Sequence, residues 1–396
     1  MTNSKRKTAA FILLLSILCT VSMYIYTLKY MSDDYLRLSG QLIFAVYLRQ
    51  IIRTAVIIIA GFMITRHLTA DKLFLSSVLL FVVPNLIWAL PETDFNCHLH
   101  GGLYRIFDAQ VYLTPFIYLG ILLLSYLTAI RREIGSSEYY ITYLAIMLLS
   151  CYSAAFKFGA VGTALVFAAA GTVMLLLTLR SEKSARTGFI LLAGAALILL
   201  LYTVYTYYTD PLSPITRRLT LVLTGGRCDP AGRGFHFIKI REALHSIRLI
   251  GRSSFKVGNA PAVFFLSQTY WNLDLLIIGL LGGWVAVLCI IAAQGYVIAA
   301  LIRNTMRMRN PLTRQLGFFI ACLFAVRLVF SVLSSTIFPL SNTEMLMFCG
   351  GWNRGIDAFL LIVLFKMMRM DPQYEETGLM ARKRSRCKTD LMKKVY

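Results

Sequence analysis

The sequence predicts an all-α integral membrane protein, a bundle of about ten transmembrane helices with a large outer loop between spans 7 and 8. Composition is the first reason. The chain of 396 residues is 58% hydrophobic and only 15% charged, and its mean hydropathy is +0.67, whereas roughly a quarter of the residues are charged in a soluble domain. The second reason is that apolar runs of about 20 residues, the length that crosses a bilayer, recur along almost the whole chain.

The predicted spans follow one another with short polar connections. The first begins after Lys5, Arg6 and Lys7, and no small-residue cleavage site follows it, so it is predicted to be a membrane anchor and not a removable signal peptide. The predicted spans cover, in order and approximately, residues 9–27, 46–65, 73–90, 111–130, 139–156, 160–179, 187–207, 272–301, 316–338 and 351–368.

Loop charges predict the orientation. Basic clusters such as Arg131-Arg132 and Arg382-Lys383-Arg384 fall on one side of the predicted bundle, and this side is the cytoplasm by the positive-inside rule. Both termini are then cytoplasmic. The predicted organisation is a membrane domain at 1–370, which contains a large extracytoplasmic loop at 208–270, and a basic cytoplasmic tail at 371–396.

The outer loop is itself unusually basic. A net charge of +21 in a membrane protein indicates topology and contact with anionic lipid before it indicates nucleic acid, which we do not expect as a partner. Basic side chains outside the membrane suit a concentrated anion such as a lipid pyrophosphate. The alternative is a solvated loop beside anionic membrane lipid. The candidates for pyrophosphate contact are Arg217, Arg218 and Lys239.

Three further patterns concern packing. Apolar positions at helical spacing predict a short amphipathic helix at 238–251 on the outer surface. Gly279 and Gly283 form a GxxxG pattern, which usually indicates close packing of two helices. Arg327 lies within an apolar run, where a charge is costly, so we expect it to face the bundle interior or a wet cavity.

Asp274 lies at the mouth of a long apolar run, and two interpretations of it are open. Acids are favoured at helix N-termini by about 0.3–1 kcal/mol, so it is either a helix cap at the membrane surface or a catalytic base. Glu92, Asp94 and Glu344 are weaker candidates for the catalytic base, because they lie in or near other predicted outer loops.

The order of several motifs resembles the FtsW/RodA/SpoVE (SEDS) family of bacterial cell-wall glycan polymerases. The resemblance covers most of the chain. It rests on RQIIRTAVIIIAGFMI from residue 49, GLYRIFDAQ at 102–110 ending in Gln110, GAVGTALVFAAAGTVMLLL at 159–177 with Gly162 and Thr163, RRLTLVLTGGRCDPAGRGFHFIKIREAL at 217–244, WNLDLLIIGLLGGWVAVL at 271–288, and TIFPLSNTEMLMFCGGWNRG at 336–355 with Gly350 and Gly351.

This resemblance implies a function. Family members polymerise lipid II-like disaccharide-peptide units into glycan strands during division, elongation or sporulation, and the aspartate that aligns with Asp274 is their essential residue. The resemblance also implies a bacterial plasma-membrane location and a class B penicillin-binding transpeptidase as partner.

Departures from the family pattern keep alternatives open. The Glu and Lys that the family has near Gln110 are absent, and Phe348–Trp352 replaces its Ser-Tyr-Gly-Gly-Ser. The alternatives are a flippase for the lipid-linked precursor and a catalytically weak scaffold of a wall-synthesis complex. No metal site is predicted, since Cys97–His100 has no second ligand pair. A divalent cation, Mg²⁺ or Mn²⁺, is the one candidate cofactor, as a stabiliser of the leaving group.

Overall fold

Helices dominate the described part of this computed structural model. It describes residues 14–15, 17–21, 48, 51–52, 55–56, 58–60, 63, 96–99, 103–106, 109–112, 143–148, 151, 161–178, 190, 194, 201, 204–205, 207–209, 220–221, 223–225, 227–229, 233–257, 260–261, 273–309, 311–336, 346 and 351–370. The longer helices in this part are α1 (Val161–Thr178), α2 (Arg233–His245), α3 (Asp274–Thr305), α4 (Pro311–Thr336) and α5 (Gly351–Met370).

Helix α4 lies at the centre of the described bundle. It packs against α1, α2, α3 and α5, and Phe319, Ile320, Leu323 and Phe324 on it are fully buried. Among the described residues, two helices are long and apolar enough to cross a membrane, Asp274–Thr305 and Thr313–Thr336. Both coincide with predicted spans.

Helix α1 packs closely against the helical residues 143–148. The hydroxyl of Tyr143 donates a hydrogen bond of 2.8 Å to the backbone carbonyl of Gly171. A Cβ at Gly171 would lie 2.7 Å from the sulfur of Met147, which is too close for an unshifted structure. Glycine therefore permits this approach, and the predicted span at 160–179 matches α1 closely.

Short strands were not predicted from the sequence. Strands β1 (Asn96–Leu99), β2 (Leu103–Ile106) and β3 (Ala109–Tyr112) form an antiparallel sheet in the order β1-β2-β3. A second, two-residue pair joins β4 (Lys256–Val257) to β5 (Ala260–Pro261). The predicted start of the fourth span, residue 111, falls inside β3 and is wrong. A search for apolar runs misses such strands because they are only four residues long and are defined by their pairing across short turns.

The predicted amphipathic helix at 238–251 is displaced. Helix α2 begins earlier, at Arg233, and ends at His245. Its apolar residues Ile240 and Ala243 are buried against the protein, and α2 contacts α3 and α4. The residues after His245 leave the helix, and backbone groups between Arg248 and Ser253 form hydrogen bonds with α3. The predicted span boundaries at 73–90 and the tail at 371–396 lie outside the described residues.

Candidate functional site

Asp274 is the first residue of α3 and is only 1% exposed. The N-cap position is held by Leu273, which makes no side-chain capping hydrogen bond. Asp274 is therefore not the N-cap residue itself but an acid in the first turn of the helix, where it still interacts favourably with the helix dipole. The sequence located the start of the helix correctly, but it could not show that other parts of the chain cover this start.

Electrostatics make this position costly for a purely structural residue. A helix N-terminus favours an anion by about 0.3–1 kcal/mol, and by up to about 2 kcal/mol in partly buried geometries. Removing a carboxylate from water costs several kcal/mol after relaxation. The helix dipole by itself therefore offsets only part of the cost of burying this carboxylate.

Helix α3 is broken at Gly283. This glycine has φ +84° and ψ −178°, so the backbone there is not helical. The break divides α3 into a short helix, residues 274–282, and a long helix, residues 284–305. At 1.5 Å per residue the long helix measures about 33 Å, enough to span a bilayer without the short one. Gly283 is therefore a break point and not the helix-packing residue that the GxxxG pattern predicted.

A segment of the predicted outer loop fills the break. We call residues 247–253 the strap. The amides of Trp284 and Val285, at the start of the long helix, donate to the carbonyls of Arg248 and Leu249 at 3.0 and 3.2 Å. These bonds satisfy amide groups that the break removes from the helical ladder, as buried backbone requires.

The strap also satisfies the end of the short helix. The amide of Ser253 donates to the carbonyl of Leu280 at 2.8 Å, and that of Gly251 donates to the carbonyl of Gly282 at 3.3 Å. The hydroxyls of Ser246 and Ser253 are 2.9 Å apart. The Ser246 hydroxyl donates to the carbonyl of Ala243, so its one hydrogen is used and Ser253 is the donor between the two.

The short helix is enclosed by protein. Every residue from Asp274 to Leu280 is buried. In the long helix, by contrast, Val285, Leu288 and Tyr296 are exposed, and one face alone is buried. A helix that is apolar on all sides belongs to a core, whereas one with a single buried face lies at the surface of a bundle. The short helix is therefore a core element that carries Asp274 at its amino-terminal end.

Of the three residues proposed for pyrophosphate contact, Lys239 alone is described. It lies on α2, which packs against α3. Its ammonium group is 2.6 Å from Oε2 of Glu242 and 5.5 Å from the ring centre of Phe235. The ion pair is half-exposed and worth about 0.3–0.5 kcal/mol, which an incoming phosphate could replace. Arg217 and Arg218 lie outside the described residues.

Of the remaining motif positions, three lie at the starts of helices and one lies in a strand. Gln110 is in β3, in register with Arg105 of β2. Gly162 and Thr163 are in the first turn of α1, and Gly351 begins α5. Gly350 lies outside the described residues. Helices α1 and α5 both pack against α4, which also packs against α3, so the motif-bearing helices share one neighbour.

Sequence reasoning missed the partner of Arg327. This residue is 4% exposed, as predicted for the interior, and its guanidinium forms a two-point ion pair with Asp357 of α5, at 2.5 and 3.2 Å. It also lies 5.8 Å from the ring centre of Phe324. The carboxylate of Asp357 thus neutralises the charge of Arg327, as a charge in the interior of a membrane bundle requires.

Gln294 of α3 lies at nearly the same depth in the bundle as Arg327 of α4. Thr305 of α3 packs against Gly317 of α4, so these antiparallel helices are in register there. At 1.5 Å per residue, Gln294 lies about 16 Å from Thr305 along α3, and Arg327 lies about 15 Å from Gly317 along α4. The side-chain amide of Gln294 donates to the carbonyl of Leu346 at 2.8 Å. Leu346, which lies between α4 and α5 in the chain, is therefore held at about the depth of the Arg327–Asp357 pair.

Metal ligation finds no support in the described region. No group of three or more His, Cys, Asp or Glu side chains gathers among the described residues. Among these residues the candidate Mg²⁺ or Mn²⁺ therefore has no ligand set to which a step of the chemistry could be assigned.

Three solved structures share this fold. A chain of a peptidoglycan synthase complex, described as coordinating polymerization and crosslinking, superposes with a TM-score of 0.66 at 16% identity, covering 91% of this chain and 97% of its own. RodA, a rod shape determining protein of Thermus thermophilus, gives 0.59 at 13% identity, and an Asp-to-Ala mutant of it gives 0.58 at 13%. Both RodA comparisons cover 92% of this chain and 97% of the other.

These similarities show the fold. No protein-family model and no curated protein sequence matches the chain. The predicted polytopic helical membrane fold of SEDS type is confirmed, because the superpositions cover nearly the full length of the chain and of the RodA structures. The number of spans and the boundaries of the outer loop stay predictions.

Proposed function

We propose that this protein, which has the RodA-type membrane fold, is a peptidoglycan glycosyltransferase that polymerises lipid-linked disaccharide-peptide units. The observation that carries the proposal is Asp274, a carboxylate held in the protein interior at the first residue of a broken helix. Its position in this fold and the cost of burying it both favour a role in chemistry over a role in capping.

The reaction joins two lipid-linked substrates. A sugar hydroxyl of the acceptor attacks the anomeric carbon of the donor, a new glycosidic C–O bond forms, and the bond from that carbon to the lipid pyrophosphate breaks. Asp274 accepts the hydroxyl proton, and the pyrophosphate leaves with the bonding electron pair. A positioned carboxylate base contributes about 10²–10⁴-fold to such a step.

The leaving group needs positive charge, because a pyrophosphate carries concentrated negative charge. Lys239 lies on α2, the helix that contacts α3, and its pairing with Glu242 is exchangeable. Arg217 and Arg218 precede α2 in the same basic loop. We propose these three residues as pyrophosphate contacts, with Arg able to bind two oxygens at once.

The proposal includes a location and a partner. The membrane domain extends over 1–370, with its loop at 208–270 outside the cell, and the tail at 371–396 and both termini are in the bacterial cytoplasm. The similar peptidoglycan synthase complex couples polymerization to crosslinking. This supports a membrane-anchored class B penicillin-binding transpeptidase as partner, besides anionic membrane lipid.

One experiment tests the activity. Purified protein is incubated with lipid II, alone and with a transpeptidase partner, and glycan length is read on a gel. Polymer that depends on this protein supports the proposal. A protein that binds the transpeptidase but never forms polymer is a scaffold, and the Glu and Lys missing near Gln110 would be the expected cause.

A further inference from the structure

We infer that the strap is a positioning element that holds Asp274 in place through the break at Gly283. The inference rests on the proposed role of Asp274 in catalysis. Asp274 would touch the substrate, whereas Gly283 and the strap would act only through it.

The strap joins the two pieces of α3. Backbone groups of Gly251 and Ser253 bind the carboxyl end of the short helix, and those of Arg248 and Leu249 bind the first amides of the long helix. Across Gly283 the helical ladder is interrupted, so these four hydrogen bonds set the angle between the two pieces. The direction in which the short helix points, and hence the position of Asp274, depends on them.

Side-chain packing reinforces this connection. Ile247, at the start of the strap, is buried against Gly279 of the short helix, where a Cβ would lie 2.7 Å from its Cδ1. Asp274 precedes Gly279 by five residues, which is about 7.5 Å along the helix axis. A displacement of Ile247 or of the strap would therefore move the carboxylate, and about 1 Å of misplacement costs roughly 10²-fold in rate.

Only glycine fits at residue 283. Its φ of +84° with ψ near 180° belongs to a region that residues with a Cβ avoid. A Cβ there would also lie 2.6 Å from the carbonyl oxygen of Leu249 and 2.7 Å from that of Arg248. Because these are backbone atoms of the strap, they cannot rotate away as a side chain would. Gly283→Ala should therefore displace the strap or straighten the helix.

The chain supplies a matched control. Gly295 lies in the long helix, and a Cβ there would meet nothing within 4 Å. Gly295→Ala therefore makes the same chemical change in the same helix without touching the strap. A second variant, Gly251→Ala, alters the strap alone: Gly251 has φ +92° and open space around it. Gly251→Ala takes the place of Gly283→Ala in the test if Gly283→Ala does not fold.

The first measurement does not depend on activity. In a variant without the eight native cysteines, Asp274→Cys is introduced and its reaction rate with a small methanethiosulfonate reagent is measured in the purified protein. We expect Gly283→Ala, or Gly251→Ala, to raise this rate by at least about tenfold, because the short helix opens more often. Gly295→Ala should leave it unchanged.

The second measurement keeps Asp274 and follows lipid II polymerisation. Gly283→Ala should lower kcat by about 10²-fold with little change in KM, and its unfolding temperature, which the backbone strain at residue 283 should lower, is measured beside it. Gly279→Ala should also lower kcat, and Ile247→Val, which removes the Cδ1 atom in the way, should restore it. Assaying each variant well below its unfolding temperature separates a displaced Asp274 from a loss of folded protein.

The outcomes separate the two proposals. Unchanged thiol reactivity and unchanged kcat in folded Gly283→Ala and Gly251→Ala would overturn the positioning role. If wild-type protein never polymerises lipid II, the proposed function fails, and the thiol rates still decide whether the strap holds residue 274 in place.

Discussion

The guanidinium of Arg327 is bound at two points by the carboxylate of Asp357, and both side chains are buried, at 4% and 2% exposure. The pair joins α4 to α5 across the bundle interior. A two-point pair of this kind fixes the rotation and the relative depth of two helices more strictly than apolar packing does. At about the same depth, the side-chain amide of Gln294 donates a hydrogen bond to the carbonyl of Leu346.

Removing one partner of this pair should be costly. Arg327→Met and Asp357→Leu each leave a buried charge uncompensated, and each should lower the free energy of unfolding by about 3–5 kcal/mol. The double variant should cost far less than the sum, because both charges disappear together. Unfolding in detergent, followed as a double-mutant cycle, measures the difference. Additive losses would show that the pair does not couple the helices.

The contact of α3 with α4 near their connection depends on a glycine. A Cβ at Gly317 would overlap the side chain of Thr305, which is itself buried. Gly317→Ala should therefore destabilise the protein by about 1–3 kcal/mol, as overpacking does. Thr305→Ala should recover part of that loss. Gly295→Ala is the control, and equal effects at residues 295 and 317 would contradict the close approach.

The basic loop should contribute to substrate affinity. Replacing Arg217, Arg218 and Lys239 together by Gln removes three charges and should raise the KM for lipid II while folding is kept. Lys at 217 and 218 should substitute only partly, because Lys keeps the charge but cannot bind two oxygens at once. Steady-state polymerisation kinetics measure this. A triple variant with unchanged KM would identify these residues as ordinary surface residues.

The predicted topology can be tested by labelling. Asn259→Cys, in the variant without the eight native cysteines, should react with a membrane-impermeant reagent in intact cells, because the loop at 208–270 is predicted to be outside. A cysteine introduced in the tail, beyond residue 371, should react only after permeabilisation and provides the control. Reversed accessibility of the two sites would overturn the orientation.

The helices were largely predictable, because apolar runs of spanning length are a local signal. Predicted spans at 160–179, 316–338 and 351–368 coincide closely with α1, α4 and α5. The interior position of Arg327 also followed from the cost of a charge in an apolar run. Its partner did not, because the rotation that brings Asp357 to Arg327 is set by packing between helices.

The site was predictable in part. Sequence identified Asp274 and the start of its helix, but neither its burial nor the strap, more than 20 residues earlier in the chain, that binds the carboxyl end of the short helix. One signal in the sequence indicated the break. The helix at 274–305 has 32 residues, more than the roughly 20 that a span needs, and the residues after Gly282-Gly283 are enough for a span by themselves. The GxxxG interpretation instead took Gly283, together with Gly279, as a helix-packing residue.

The most direct test of the central claim is the polymerisation rate of Asp274→Asn on lipid II. Asparagine keeps the shape of the side chain but accepts no proton, so the account predicts a fall of at least about 10²-fold, with expression and unfolding temperature nearly unchanged. Asp274→Glu should also be slow, because its carboxylate lies one methylene further out. An Asn variant that polymerises at the wild-type rate would contradict the assignment of Asp274 as the catalytic base.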